Sequence, residues 1–426
     1  DGRASVQPCL RNPRAAPHGL ATWGIVVVMR SPAPIAPEAV TLRALVLMLI
    51  RGSINGVVAP FATIILIMDG LSPALVGPLA AAGAIATLLT APAWGRLGDR
   101  HGRRRVLAVS FLLAAPIAAG HAAGILPVVA IAYLAWAAVG SAFIPLTDSL
   151  VLARLGGSRS RFSRVRVGAS TAYMLVVVLV GAVVAFTPLG WAAPGVLGAG
   201  FCLLGTVAVM ARLRGELRSG TGVAVGAQTG LVEGVRAGVG RHRWFLLGLA
   251  MVLAGANAPA IFTGPRVAEV GGSGWEIGLA IAAGTLVELP AFLVLPWLLP
   301  LVGSRRLFLV GGVLLGIAGL LSAFAPTPAL LIGARLLFGA GFAWVIITSL
   351  GAISNAASPA EHAASAALHF AASAAGSLLV ALAGFPLVAL TGSVSAVLAA
   401  AAIAAPIGTV LALRAWPTRH GVPDRT

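Results

Sequence analysis

The sequence predicts an all-α membrane protein, with about twelve transmembrane helices in two pseudo-symmetric six-helix bundles and both termini cytoplasmic. Three observations lead there. Of 426 residues, 59% are hydrophobic and 10% charged, against roughly 25% charged in a soluble domain. The apolar residues come in blocks that meet the roughly 20 residues a spanning helix needs. All 29 basic residues are arginines, and they gather between alternate blocks, a pattern that orients helices in a bilayer.

The blocks give twelve spans: 40–68, 73–94, 105–122, 125–153, 165–187, 190–212, 244–266, 275–300, 306–324, 327–352, 361–388 and 391–414. Gly and Ala are dense inside them, which in lipid favours close helix approach. Arg96, Arg100, Arg103, Arg104 and Arg105 follow span 2, and Arg154, Arg159, Arg161 and Arg164 follow span 4. Arg212, Arg214, Arg218, Arg236, Arg241 and Arg243 crowd the central break. Arg305 and Arg306 follow span 8, and Arg414 and Arg419 follow span 12. The opposite loops hold Arg266, beside Glu269. Positive charge stays on the cytoplasmic side, so both termini are expected there.

The longest polar break, 213–243, divides the chain into a bundle over 40–212 and a second over 244–414. A cytoplasmic extension, 1–39, and a tail, 415–426, flank them. Residues 1–28 are rich in Arg and Pro and precede Met29, which is read as the natural start. "WGRLGDRHGRRRVL" after span 2 is echoed by "LLPLVGSRRLFL" after span 8, and aligning Gly102 with Gly303 gives a repeat of 201 residues. Two similar six-helix halves suit a transporter with its binding site between them.

Several function classes recede. A net charge of +17 raises nucleic acid as a partner, but the arginines alternate with apolar blocks instead of forming one basic face. Cys9 and Cys202 are too few for a disulfide framework. His362 and His369, seven apart without Cys or acidic companions, make no metal site, and no metal or cofactor is expected. "GGSGWEIG" at 271–278 follows no strand, so it is a poor nucleotide loop. No nucleophile–base set occurs, and an enzyme is not expected. A polytopic enzyme acting on lipid-linked substrates is the remote alternative, and it would need acidic or His clusters that the Arg- and Gly-rich loops lack.

"GRLGDRHGRRR" at 95–105 resembles the signature loop between helices 2 and 3 of the major facilitator superfamily. The resemblance implies a cytoplasmic gate of Gly95, Asp99, Arg100, Gly102 and Arg103 that helps hold the outward-open state. Gly95 and Gly102 permit a tight turn, and Asp99 can accept from Arg103 or from a helix N-terminus. A narrower likeness links "PLTDSLVLARLGGSRSRFSRVRVGAS" at 145–170 to the aromatic-acid (phenylpropionate) permeases and their lactose and nucleoside relatives. Those proteins place an acidic residue late in helix 4 and an arginine 18 positions on, as Asp148 and Arg166 stand here. "APFATIIL" at 59–66 and "VELPAFLVLPWLLPLVGSRRLFLVGG" at 287–312 extend it, with Glu288 matching a glutamate of helix 8. Span 10 has Arg335 but no His or Glu, so the sugar-specific coupling set is not carried over. The "GP" signature of drug/proton antiporters is missing from span 5.

A charge at membrane depth is a functional candidate by default. Asp148 lies roughly 8 Å inside span 4, and Arg166 at similar depth on span 5, so the two are expected to meet, for gating, for substrate contact, or to pin the hairpin. Glu288, in mid-span 8, is the first candidate for proton coupling, with Asp148 and His369 behind it. Its alternative is packing against Arg51 or Arg335. Arg51 and Asn55 share a face of span 1. Either Arg51 or Arg335 suits a carboxylate bidentately, and Arg51 could equally neutralise Asp148 or Glu288. Asn257, Trp136 and Trp344 are further cavity candidates, the tryptophans for stacking an aromatic substrate or for packing. His369 is a proton relay or a satisfied core histidine.

The resulting expectation is a monomeric, multi-pass transporter of the inner (cytoplasmic) membrane. It would take up a small organic solute, an aromatic or other carboxylate, by symport with a proton. Export of drugs or sugars is the alternative within the superfamily. A channel has no filter-like repeat to support it.

Overall fold

The fold is seen in a computed structural model that describes residues 37–156, 159–212, 226–356 and 362–417. The expected extension up to residue 36, linker residues 213–225 and tail residues 418–426 lie outside them. Span 1 consists of α1 (Pro37–Val57) and α2 (Ala62–Met68), span 2 of α3 (Pro73–His101) and span 3 of α4 (Arg103–Gly120). Span 4 is α5 (Leu126–Gly140) with α6 (Phe143–Arg154), span 5 is α7 (Arg159–Phe186) and span 6 is α8 (Ala193–Arg212). The second half has α9 (Gly226–Glu269), α10 (Gly274–Val302), α11 (Ser304–Phe324), α12 (Pro328–Ala356), α13 (His362–Thr391) and α14 (Ser395–Arg414). Eleven of these spans are long and apolar enough to cross a membrane. The remaining one, α4, opens with Arg103–Arg105, which dilutes an otherwise apolar helix of 18 residues.

The repeat is visible in the backbone. α3 and α10 each have 29 residues, and both end at a glycine with positive φ: +90° at Gly102 and +86° at Gly303. That conformation is open to glycine at little cost, so one residue reverses the chain between α3 and α4, and again between α10 and α11. The signature expected as a loop over 95–105 is therefore mostly helix, with Gly95, Asp99 and Arg100 inside α3. Similarly, α9 begins at Gly226, within the expected linker, and bends at His242, where φ and ψ leave the helical region.

Spans 1 and 4 are broken, and in lipid a break leaves carbonyls that must find donors. The span 4 break, at Ser141–Ala142, is served by α3. Trp94 Nε1 donates to Ala138 O at 2.9 Å, Thr90 Oγ1 to the same oxygen at 3.0 Å, and Thr87 Oγ1 to Ala137 O at 3.1 Å.

The first-half core gathers Phe61, Phe111 and Phe143 and extends into the second half at Ile277 of α10. A second core surrounds Phe245 and Phe308. Across the halves, α7 packs on α10, α3 on α13 and α2 on α9. Small residues make the close approaches. A Cβ on Gly278 would stand 2.8 Å from the carbonyl oxygen of Val177, and one on Gly77 would collide with that of Ala381. Both places are at the helix ends remote from the arginine-rich turns.

At that remote end Arg266 and Glu269 staple the second half. Arg266 bonds Glu269 at 3.0 Å and donates to Ser322 O at 3.3 Å and Ala325 O at 2.9 Å, while Glu269 accepts from Val394 N at 2.7 Å. The segment dismissed as a nucleotide loop starts α10 instead, as a capping box of Ser273 and Glu276.

Candidate functional site

Arg51 comes from α1, in the first half. It is 7% exposed, and its Nη1 donates to Asp148 Oδ1 of α6 at 2.7 Å. The expected partner of Asp148 was Arg166, on the adjoining helix. The structure assigns the ion pair to Arg51, because α1 packs against both α6 and α7. Arg166 is exposed, and its charge acts on Asp148, on Arg51 and, across the interface, on Glu288 of α10. Of the two partners left open for Arg51, the geometry selects Asp148.

Glu288 is half-buried and stands in the fields of Arg335 and Arg166. Arg335, on α12, is 7% exposed. Its guanidinium lies 3.9 Å from the ring centroid of Phe338, a cation–π arrangement. Among the described residues it has no carboxylate within ion-pair distance, and its Nε and Nη1 are buried without hydrogen-bond partners. Buried N–H groups are rarely left so. Three guanidiniums and two carboxylates thus form a cluster that acts across the two halves, in which Arg335 leaves Nε and Nη1 unmatched and Arg51 leaves its Nε.

The other expected residues are spread more widely. Asn55 is half-buried one turn after Arg51. Asn257 of α9 donates to Ser373 O of α13 at 3.0 Å, joining two helices of the second half. His369 is buried, and its Nδ1 lies 3.4 Å from Ser349 Oγ. Trp344 is half-buried with an unpartnered Nε1. Trp136 sits in the first-half core, edge-on to His121 and Phe143, which is the packing alternative and not a place on the charged cluster. In the expected gate motif, Arg103 pairs with Asp99 at 3.0 Å one turn away. Its neighbour Arg104 reaches the carbonyls of Val209 and Met210 on α8, at 3.3 and 2.5 Å. No group of three His, Cys, Asp or Glu able to hold a metal occurs among the described residues.

Sequence reasoning missed Tyr173 of α7, on which both Arg335 and Glu288 act electrostatically from the other half. Its signal was rarity, because the chain has two tyrosines. It also missed Thr63, whose hydroxyl donates to Ile261 O of the other half at 2.8 Å.

The fold is shared with solved transporters. A mutant of the nucleoside transporter NupG matches with a TM-score of 0.75 at 15% identity, over 88% of this chain and 98% of that one. A mutant of the peptide transporter POT matches with a TM-score of 0.69 at 14% identity, over 90% and 98%. A bacterial homologue of the iron transporter ferroportin, in its inward-facing state, matches with a TM-score of 0.65 at 19% identity, over 89% and 98%. No curated protein sequence matches. At these identities the likeness establishes the fold. Family membership comes from the sequence: residues 44–385 of 426 match the MFS_1 like family, and the chain belongs to that family of multi-pass membrane transporters.

Proposed function

We propose that this transporter carries a small organic anion, an aromatic or other carboxylate, into the cell through the cytoplasmic membrane by symport with a proton. The observation that carries the reading is the charged cluster between the halves, where Arg335 holds buried N–H groups without partners. A planar guanidinium offers paired donors that fit a carboxylate. Arg51 is already bonded to Asp148, which leaves Arg335 as the receiving arginine. Glu288, in reach of its field and that of Arg166, is the coupling carboxylate. It takes a proton with the incoming anion and releases it once the anion has left. With the arginine-rich turns on the cytoplasmic side, the packed glycine contacts lie outward and the molecule faces inward. Rocking of the halves about the cluster then alternates access.

The test is uptake into proteoliposomes from a panel of carboxylates, sugars and nucleosides under an imposed pH gradient, acid outside. Wild type is expected to accumulate a carboxylate. Glu288→Gln is expected to keep exchange of internal for external substrate and lose gradient-driven accumulation. Gradient-independent uptake by both proteins would defeat the coupling.

A further inference from the structure

Pro265 lies inside α9 and has no N–H to give the carbonyl of Ile261 one turn earlier. A carbonyl freed in this way at membrane depth needs another donor. The donor comes from the other half: Thr63 Oγ1 of α2 donates to Ile261 O at 2.8 Å. Some intramembrane threonines here bond only within their own helix. Thr171 and Thr409 each donate to the carbonyl four residues back, at 3.0 and 2.7 Å. Thr63 is placed differently, because four residues before it the chain is in the turn that breaks span 1. Its hydroxyl is therefore free to face α9. The helices approach closely there, since a Cβ on Gly264 would stand 3.3 Å from that of Ile64. Thr63 is buried, so water does not compete for the bond while the halves are packed.

We propose that Thr63 is a positioning residue of the transport cycle. Its bond to the carbonyl that Pro265 frees holds the halves together at the end remote from the arginine-rich turns and sets the balance between the two access states. The inference rests on alternating access and on neither the substrate nor the proton. When the halves part, water replaces the hydroxyl at Ile261 O. The latch is therefore worth a net hydrogen bond, which shifts the equilibrium roughly two- to tenfold.

The experiment uses the full chain in nanodiscs, with Cys9 and Cys202 replaced by serine and Ala80→Cys as reporter. Ala80 of α3 is buried against Ala381 and Ile261 of the other half. Labelling of this cysteine by a membrane-impermeant maleimide, without substrate or gradient, reports opening at that end. Thr63→Val is expected to speed labelling about two- to tenfold, and Thr63→Ser to leave it at the parent rate. Pro265→Ala restores the N–H to Ile261 O, so it should speed labelling alone and make a further Thr63→Val nearly silent. Packing lost at Thr63 would act equally in both backgrounds. An equal effect in both, or no effect of Thr63→Val or of Pro265→Ala, overturns the proposal. A failed pH-gradient experiment leaves this result unaffected.

Discussion

In the first half, spans 1 and 4 are each broken, while in the second α12 and the part of α9 beyond its bend at His242 run without a gap. The halves differ as much in the charges they bury. Moved by the 201-residue repeat, Arg51, Asp148 and Arg166 fall on Val252, Ser349 and Ala367, and Glu288 and Arg335 fall on Thr87 and Leu134. The helix plan is repeated and the charges are not. At the end remote from the arginine-rich turns the contrast recurs. Glu269 is fully engaged, whereas Asp69, at the corresponding helix end, has a buried Oδ2 without a partner and burial pushes its carboxyl pKa up. The difference teaches that the repeat supplies a scaffold and that the candidate site lies where the two halves have diverged. The first half contributes an ion pair through Arg51 Nη1, with Arg51 Nε left unmatched. The second contributes an arginine with donors still to satisfy.

The comparison can be broken most directly at the ion pair. Asp148→Ala strands Arg51, buried at 7% exposure, and is expected to destabilise the protein by roughly 3 kcal/mol, seen as a lower Tm in detergent. Arg51→Met with Asp148→Leu should restore most of that loss, because replacing both partners removes the stranded charge. An unchanged Tm for Asp148→Ala would mean that the pair is not closed. Arg335 gives the contrasting case. Arg335→Met removes a guanidinium that lacks an ion-pair partner, so stability should stay within about 1 kcal/mol of wild type, with Tm little changed, while substrate uptake is abolished. Destabilisation as large as that of Asp148→Ala would make Arg335 a structural residue. The smallest effect belongs to Asp99→Ala. Its partner Arg103 is one turn away and both are partly exposed, so about 0.3–0.5 kcal/mol is expected. A strong shift in Ala80→Cys labelling by the same variant would show that the gate acts on access more than on stability.

Much of the plan could be read from the residues. The expected span 275–300 became Gly274–Val302, and 306–324 became Ser304–Phe324. The echo between Gly102 and Gly303 proved to be a shared backbone conformation. These features are local, since apolar length, arginine placement and glycine conformation act along one helix or one turn. The gate motif was recognised but placed in a loop, because hydropathy falls at the arginines before the helix ends.

The site followed other rules. Depth along spans 4 and 5 made Asp148 and Arg166 partners, yet Arg51, 97 positions from Asp148, holds the carboxylate. Sequence spacing sets depth in the membrane but not the rotation of one helix against a third. Thr63 and Ile261 meet for the same reason. By itself the sequence determined the twelve spans, the two-fold repeat and the family, because lipid requires each helix to satisfy its own backbone. Only the tertiary structure decided which arginine is paired, which is left with free donors, and how a proline in one half recruits a threonine from the other. Those choices depend on side-chain direction across helix interfaces, which linear spacing does not encode.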